Sequence, residues 1–378
     1  MAIQLKKKIR LFDLYKNNQA YKKEFLKKLN KIIVNSEFIS GSYVREFEKS
    51  FARLNKVNYC QSCGNGTDAI FGSLKSLDIG IGDEVLVSSH DWISSSEAII
   101  ACGAKPIFLD TKKDSFLIDD NKIEKHISKR TKAIIIVHIY GQVFNFDKIL
   151  NLKKKYKFKI IEDCAQSHLG RYKNKFVGTI GDIGCFSFFP TKNLGAFGDA
   201  GAIITNNLKI YKKIKMFFNH GGLKKNQHII NGINSRMDNI QALILLLKIR
   251  NLKKEIQIRR RKAKEFNNLF SKIKEVKLLN NNKYQDHVYH LYVILVKKRN
   301  KLMKYLNKIG IEASIHYPVP MPLVKANSLF SNRKNKYRNT NNISNKILSV
   351  PFHPNITILE MKKIVVAIKK FYKNKSDV

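Results

Sequence analysis

Short apolar segments alternate with segments of helical periodicity through the first half of the chain, and this alternation restricts the fold more than any other feature. The predicted strands are Val57–Cys60, Val85–Ser88, Pro106–Asp110, Ala133–His138 and Phe158–Ile161. The intervening predicted helices are Thr67–Leu77, Ser95–Ala101 and Phe146–Lys157. Strands and helices that follow one another in this order favour a largely parallel sheet with helices on both faces. We therefore predict an α/β fold, with Ala202–Thr205 as the strand that closes this half.

The chain of 378 residues is long enough for two domains with substantial cores. A long helix is predicted from Ser235 to about Arg260, because Ser235 and Asp238 have capping-box spacing. Beyond it we predict the strands Tyr289–Val296 and Glu312–His316, a helix over Asn300–Ile309, a mobile loop over 325–346 and a last helix capped by Thr357 and Glu360. We place the boundary near residue 250, which predicts a large domain over 1–250 and a smaller α+β domain over 251–378.

The amino-acid composition indicates in which cellular compartment the protein is to be expected. The sequence has no run of about 18 apolar residues, so no membrane span is predicted. Its start lacks the apolar core of a secretory signal, and five cysteines at irregular spacing fit a reducing compartment. We therefore expect a cytoplasmic protein without a membrane partner. Cys60 and Cys63 form an isolated CxxC, which we interpret as strand packing, with zinc binding or redox chemistry as the alternative.

The net charge of +42 raises the question of nucleic-acid binding. Lysine supplies most of this charge, and it is scattered beside asparagine and isoleucine instead of forming an arginine-rich tract. We interpret it as a compositional bias and consider nucleic acid an unlikely partner. A basic surface still attracts anionic metabolites such as nucleotide sugars.

The stretch 162–201 concentrates the residues that suggest chemistry. Asp163 follows a predicted strand, and Ser187 lies near the end of another apolar run. Lys192 lies among Phe, Pro, Gly, Leu and Ala, whereas most lysines of this chain lie in polar segments. A poorly hydrated lysine has a lowered pKa and can act as an amine nucleophile. We therefore predict that Lys192 is the nucleophile.

The segment 64–69, with the sequence GNGTDA, follows a short strand and opens a helix. Its glycines and the helix N-terminus favour a phosphate site. The spacing also imitates a dinucleotide fingerprint, but a long helical region precedes it and the usual carboxylate-ended strand does not follow. A plain tight turn is the other alternative. We favour a monophosphate site.

Five further residues suggest ligand contacts, and for all but Gln166 a structural alternative stays open. Trp92 follows a strand and either stacks on a planar ligand or packs in the core. Gln166 can hydrogen-bond a ligand near Asp163, and Asn234 either caps a helix or reaches a ligand. His316 and Tyr317 form either a turn or an aromatic wall of the substrate site.

Together these motifs resemble the DegT-type nucleotide-sugar aminotransferases, which are fold-type I pyridoxal-phosphate enzymes. The matching segments cover nearly the whole chain and are FISG at 38–41, GNGTDAI at 64–70, GIGDEVLV at 80–87, EDCAQSHLG at 162–170, SFFPTKNLGAFGDAG at 187–201, NHGG at 219–222, GINSRMDNIQA at 232–242, IHYPVP at 315–320 and LSVPFHP at 348–354. Cys164 stands where alanine is usual, and 169–170 reads Leu-Gly instead of Gly-Ala. The resemblance implies an aspartate-aminotransferase-like fold with a mostly parallel seven-stranded sheet.

The resemblance also implies a role for each site residue. Lys192 would form a Schiff base with pyridoxal 5'-phosphate, and Asp163 would pair with the pyridine nitrogen. Gln166 would bond the ring hydroxyl, and Trp92 would stack on the ring. The phosphate would be surrounded by Gly66, Thr67, Asp68 and Ser187. Asn234 would reach the phosphate bound by the neighbouring subunit, which makes a homodimer with shared active sites the working unit.

The implied reaction transfers the amino group of a donor, which the resemblance implies to be L-glutamate, to a nucleotide-linked keto-sugar. The product would be an amino sugar for a surface polysaccharide. A related branch has histidine in place of the lysine and catalyses dehydration, so Lys192 favours transamination. A sugar dehydratase and a non-catalytic regulator of the same fold are the alternatives. Amination at carbon 3 and at carbon 4 both stay open, as do UDP- and dTDP-linked substrates.

Overall fold

The computed structural model describes residues 8–224, 226–278, 286–330 and 334–373. Its strands are β1 (Tyr59–Cys63), β2 (Glu84–Ser88), β3 (Lys105–Leu109), β4 (Thr131–Val137), β5 (Lys159–Asp163), β6 (Arg171–Tyr172), β7 (Lys175–Phe176), β8 (Ile183–Ser187), β9 (Gly201–Thr205), β10 (Val276–Leu278), β11 (Tyr292–Val296) and β12 (Ile347–Val350). Its α-helices are α1 (Leu14–Gln19), α2 (Lys22–Val34), α3 (Ser42–Asn55), α4 (Gly66–Ser76), α5 (Ser94–Ala101), α6 (Asp147–Tyr156), α7 (Leu208–Phe218), α8 (Asn239–Ile249), α9 (Leu252–Phe270), α10 (Arg299–Lys308), α11 (Arg338–Ser344) and α12 (Ile358–Lys373). No helix in these ranges is both long enough and apolar enough to span a bilayer.

Seven strands form the main sheet, in the order β1-β9-β8-β5-β4-β2-β3. Neighbours from β8 to β3 are parallel, and β9 is antiparallel to both β1 and β8. The predicted mostly parallel seven-stranded sheet is confirmed. The parallel strands β4, β5 and β8 therefore end at one edge, which brings together the residues that follow them.

The central strands are apolar runs because helices cover both faces of the sheet. Ile134, Ile135 and Ile136 of β4 have no exposed surface. On one face, Phe51 of α3 contacts Phe186 of β8 edge to face, with ring centroids 4.9 Å apart. Such an arrangement is favourable beyond the buried area alone. This packing holds β8 and the residues after it in a fixed position.

The strands β10, β11 and β12 form a second, antiparallel sheet. Its core is aromatic: Phe266 of α9 lies 4.7 Å from Tyr292 of β11 between ring centroids, and α12 contributes Ile364 and Ile368. This smaller α+β unit was expected from the sequence. The boundary between 1–250 and 251–378 lies between α8 and α9, and its use as a domain division stays a prediction.

The long helix predicted from Ser235 to Arg260 is wrong, because α8 and α9 are separate helices. Asn251 interrupts them: its N–H bonds to the carbonyl of Lys248, and its side chain donates to the hydroxyl of Tyr21. The predicted cap is also wrong, since Asp238 makes no side-chain cap and Ser235 bonds elsewhere.

Two predictions for the C-terminal part need correction. In the strand predicted over Glu312–His316, only Ser314 pairs, as an isolated bridge to Ser349. The region 325–346 contains two 3₁₀ helices and α11 in its described part, and the side chain of Asp110 accepts hydrogen bonds from the N–H groups of Asn339 and Thr340. The polar composition therefore serves specific contacts there.

The capping box of the last helix is confirmed. The carboxylate of Glu360 accepts from the N–H of Thr357 at 2.8 Å, and the hydroxyl of Thr357 accepts from the N–H of Glu360 at 3.1 Å. Cys60 and Cys63 are buried in β1 and unpaired, as strand packing requires.

Candidate active site

A cavity of about 670 Å³ opens where the parallel strands end. The predicted site residues that line it are Gly66, Thr67, Asp68, Trp92, Asp163, Gln166, Ser187, Lys192, His316 and Tyr317. They come from segments far apart in the sequence, and the strand order brings them together. Among the predicted site residues, Asn234 alone does not line this cavity.

Lys192 lies in the turn after β8 and is half-buried in the cavity wall. Its backbone N–H donates to the carbonyl of Phe189 at 2.8 Å, which fixes the turn. Burial lowers the pKa of the Lys192 ammonium to about 8, against the opposing effect of the Asp163 and Asp91 carboxylates. The environment inferred from the neighbouring apolar residues is therefore present. A neutral amine is accessible near physiological pH, as a nucleophile requires.

Asp163 is the last residue of β5 and is buried. Burial raises the pKa of its carboxyl group, while the N–H of Ala165 at 2.9 Å and the charge of Lys192 act in the opposite direction. A nearby cationic group would favour the ionised form further.

Glu162, the preceding residue, fixes the end of β5. Its buried carboxylate accepts from the backbone N–H groups of Gly178, Ile180 and Gly181 and contacts the ring of His138 at 3.2 Å. These contacts bind the loop after β7 to the strand that carries Asp163. The position of Asp163 is therefore determined by a satisfied buried network.

The N-terminus of α4 forms another wall of the cavity. The side chain of Asn65 caps the N–H of Asp68 at 2.8 Å, and the N–H groups of Gly66 and Thr67 make no hydrogen bond within the described residues. The carboxylate of Asp68 points to the hydroxyl of Ser235, at 2.6 Å. Free first-turn N–H groups and the helix dipole favour an anion at this end.

A polar and aromatic wall completes the cavity. Trp92 is 55% exposed, which excludes the core interpretation, and its ring centroid lies 5.2 Å from that of Tyr317. The side-chain oxygen of Gln166 accepts from the N–H of Tyr140, and its amide nitrogen donates to the Tyr317 hydroxyl at 3.1 Å. His316 and Tyr317 thus form part of the wall, as one of the two sequence interpretations proposed.

Sequence reasoning missed several lining residues, among them Asp91, Asp199 and His290. Asp91 is buried, accepts from the N–H of Trp92 at 2.7 Å and from the hydroxyl of Ser95, and has its pKa raised by burial and by Asp163. An acid next to the noted Trp92 was a usable signal. His290 precedes a strand of the smaller sheet, and no sequence signal placed it near Lys192.

Asn234 is exposed, and its side-chain oxygen accepts from the guanidinium of Arg236 at 2.9 Å. It caps no helix, so the capping alternative is wrong. The other alternative, contact with a ligand, is not met within this subunit.

Together with the fold, a half-buried lysine, a buried carboxylate and a helix N-terminus around one cavity define a pyridoxal-phosphate-dependent aminotransferase. The chain belongs to the DegT/DnrJ/EryC1/StrS aminotransferase family, whose model matches residues 19–369. The resemblance noted from the sequence is thereby confirmed.

Individual relatives agree over nearly the full length. The chain is 37% identical over 367 residues to the dTDP-3-amino-3,6-dideoxy-alpha-D-galactopyranose transaminase of Aneurinibacillus thermoaerophilus, a match that covers 96% of this chain and 99% of the relative. The crystal structure of S. venezuelae DesV in complex with a ketimine intermediate has a TM-score of 0.94 at 29% identity and covers 97% of this chain and 99% of DesV. The crystal structure of NtdA from Bacillus subtilis with bound cofactor PMP has a TM-score of 0.85 at 29% identity, and the match covers 94% of this chain and 83% of NtdA.

Proposed function

We propose that this aminotransferase moves an amino group from L-glutamate to a 3- or 4-keto group of a nucleotide-linked sugar, for amino-sugar and surface-polysaccharide synthesis. The observation that carries the proposal is the position of Lys192 in one cavity with Asp163 and the N-terminus of α4. The name of the Aneurinibacillus relative, a dTDP-sugar transaminase, supports the substrate class. Lysine at position 192, where the dehydratase branch has histidine, disfavours dehydration.

The donor set fits pyridoxal 5'-phosphate. When bound, this cofactor supplies an aldehyde that condenses with amines and a ring that withdraws electrons. The free N–H groups of Gly66 and Thr67 and the hydroxyl of Ser187 would hold its phosphate, with Asp68 beside them. Trp92 would cover the ring face. The chemistry of the lining thus matches the phosphate, the ring and the aldehyde of one ligand.

The chain's own residues then have distinct tasks. The Lys192 amine would hold the cofactor and, once displaced by the incoming amine, would take and return a proton at its Nζ. The Asp163 carboxylate would keep the pyridine nitrogen protonated, and the amide of Gln166 would bond the ring hydroxyl. The burial of Asp163 would strengthen the first of these interactions, because little water competes for the carboxylate.

The direct test is an assay with purified protein, L-glutamate and a panel of UDP- and dTDP-linked 3- and 4-keto sugars. We expect formation of an amino sugar from at least one member, at a rate that depends on the amino donor. The matched control is Lys192→Ala, which should keep the fold by circular dichroism and lose turnover. Full activity of this variant, or dehydration without an amino donor, would refute the proposal.

We further propose a homodimer in which Asn234 serves the phosphate site of the other subunit. Its support is that Asn234 is exposed, lies outside the cavity of its own subunit and is near the exposed apolar residues Ile229 and Ile230. Mixing Asn234→Ala with Lys192→Ala subunits should restore activity, because one site of a heterodimer would receive both intact residues. No recovery after verified subunit exchange would contradict sharing. We place the reaction in the cytoplasm, where unpaired buried cysteines such as these stay reduced.

A further inference from the structure

The cavity contains a buried polar group that none of the roles above uses. His290 lines the cavity, its side chain is 3% exposed, and its Nδ1 has no hydrogen-bond partner among the described residues. A buried nitrogen without a partner costs free energy of roughly 1–3 kcal/mol. The second ring nitrogen, Nε2, likewise has no hydrogen-bond partner among the described residues and is not among the fully buried atoms, so it is the nitrogen that a ligand in the cavity would contact.

Backbone contacts hold His290 in this place. The N–H of Val288 bonds to the carbonyl of Gly141 at 2.9 Å, and the carbonyl of Val288 accepts from the side chain of Asn193 at 3.2 Å. Asn193 is the residue after Lys192, so the segment that carries His290 is attached directly to the lysine turn. The ring also stacks on Phe12, with centroids 6.1 Å apart. The imidazole is therefore pre-positioned for a ligand that occupies the Lys192 cavity.

The surroundings of His290 favour the uncharged imidazole. Burial lowers its pKa well below the ordinary value, and the charges of Lys192 and Arg259 act in the same direction. A neutral imidazole has one donor nitrogen and one acceptor nitrogen. The ring nitrogen that faces the cavity can therefore pair with a hydroxyl group in either tautomer, as donor or as acceptor, whereas it can pair with a carboxylate only when it carries the proton, and a carboxylate pairs more strongly with cations.

We propose that His290 binds a ring hydroxyl of the acceptor sugar and so helps to determine which keto-sugars are accepted. The inference rests on the function proposed above and adds a specificity residue to it. The two substrates of the reaction share the cavity and differ in chemistry: glutamate offers carboxylates, whereas the sugar offers hydroxyls. His290 should therefore contribute more to binding of the sugar than to binding of glutamate.

The test compares His290→Phe, which keeps an aromatic ring against Phe12 but removes both nitrogens, with His290→Gln, which restores a donor and an acceptor. The matched control is His353→Phe, because His353 is equally buried, also has an unpartnered Nδ1 and lies outside this cavity. The probes are dTDP-3-amino-3,6-dideoxy-galactose and its analogues that lack the hydroxyl at carbon 2 or carbon 4. Binding to the cofactor-loaded protein is measured by calorimetry, and the glutamate half-reaction by the cofactor absorbance.

In His290→Phe we expect the dissociation constant of the parent probe to rise by about tenfold, the typical effect of one lost buried hydrogen bond. The constant for glutamate should change by less than about threefold, and His290→Gln should recover part of the loss. For the wild type, one of the two deoxy analogues should have a dissociation constant about tenfold higher than that of the parent probe. For His290→Phe, the same analogue and the parent probe should have equal dissociation constants, because the partner of the missing hydroxyl is already absent. The control variant should bind like the wild type.

Three results for His290→Phe would overturn the inference. The first is an equal loss of affinity for the sugar probe and for glutamate, and the second is no loss of affinity for the sugar probe. The third is that removal of either hydroxyl weakens binding to the variant as much as it weakens binding to the wild type. A loss of equal size in His353→Phe would show a general packing effect and would also overturn it. If the wild type neither binds nor aminates any sugar nucleotide of the panel, the proposed function itself fails. That result is distinct from a failure confined to His290.

Discussion

The reactivity of Lys192 should depend on pH with a midpoint near 8. Its ordinary value is 10.5, and burial lowers the pKa to about 8. At pH 7 a group with a pKa of 8 is about 9% neutral and a group with a pKa of 10.5 about 0.03%, which is roughly a 300-fold difference in free amine. Raising the pH should therefore increase the reactivity of Lys192 about tenfold per unit up to pH 7, about fivefold from pH 7 to pH 8, and only about twofold in total beyond pH 8.

Competitive acetylation of the cofactor-free protein with trace acetic anhydride measures this titration. The modified fraction of each lysine peptide is read by mass spectrometry between pH 6 and 11. Lys248 provides an internal comparison, because burial also lowers its pKa to about 8, while its amine donates to the carbonyl of Gly195 and lies outside the cavity. We expect the same midpoint for Lys248 but a lower limiting rate. If acetylation of Lys192 continues to rise to pH 10.5, as for a solvated lysine, the reasoning from desolvation is wrong.

Two further predictions concern β5. Asp163→Asn should keep the fold but lower the rate of transamination at least about 100-fold, because an amide cannot stabilise the protonated pyridine nitrogen. In the same variant the acetylation midpoint of Lys192 should fall below pH 8, because a carboxylate that raises the pKa of Lys192 is removed. An unchanged rate would contradict the assigned role. Glu162→Gln should lower the free energy of unfolding in urea by about 3 kcal/mol. The NH₂ group of the glutamine would face backbone N–H groups that donate hydrogen bonds to the carboxylate in the wild type. Glu360→Gln is the control, because Glu360 is only partly buried and glutamine can also serve in its capping box. A loss for Glu162→Gln as small as that of the control would contradict the proposed burial effect.

Local sequence patterns were sufficient for the parallel sheet because strand and helix periodicities are read over a few residues. The buried isoleucines of β4 and the capping box at Thr357 are examples. The break at Asn251 was missed, because an apolar pattern continues through it and only its bond to Tyr21 shows the interruption. The same holds for α11, whose first residues bond to Asp110, a residue distant in sequence.

The site residues likewise fall into two groups: those that local sequence patterns predicted and those that were found only when the structure was available. Lys192, Asp163 and the α4 N-terminus follow local signals, namely an apolar surrounding, a strand end and a glycine turn. His290 became visible as a site residue only in the tertiary structure, because its position depends on the segment attached to Asn193, whereas Asp91 had an unused signal in its neighbour Trp92.

The amino-acid sequence by itself determined the alternation of strands and helices in the main sheet, the family resemblance and the residues with reactive groups. The tertiary structure decided which of those groups share a cavity, how burial shifts the pKa of Lys192, and that Asn234 lies outside the cavity of its own subunit. The physical reason is range: periodicity and turn chemistry act between neighbours in the chain, whereas desolvation and charge act between neighbours in space.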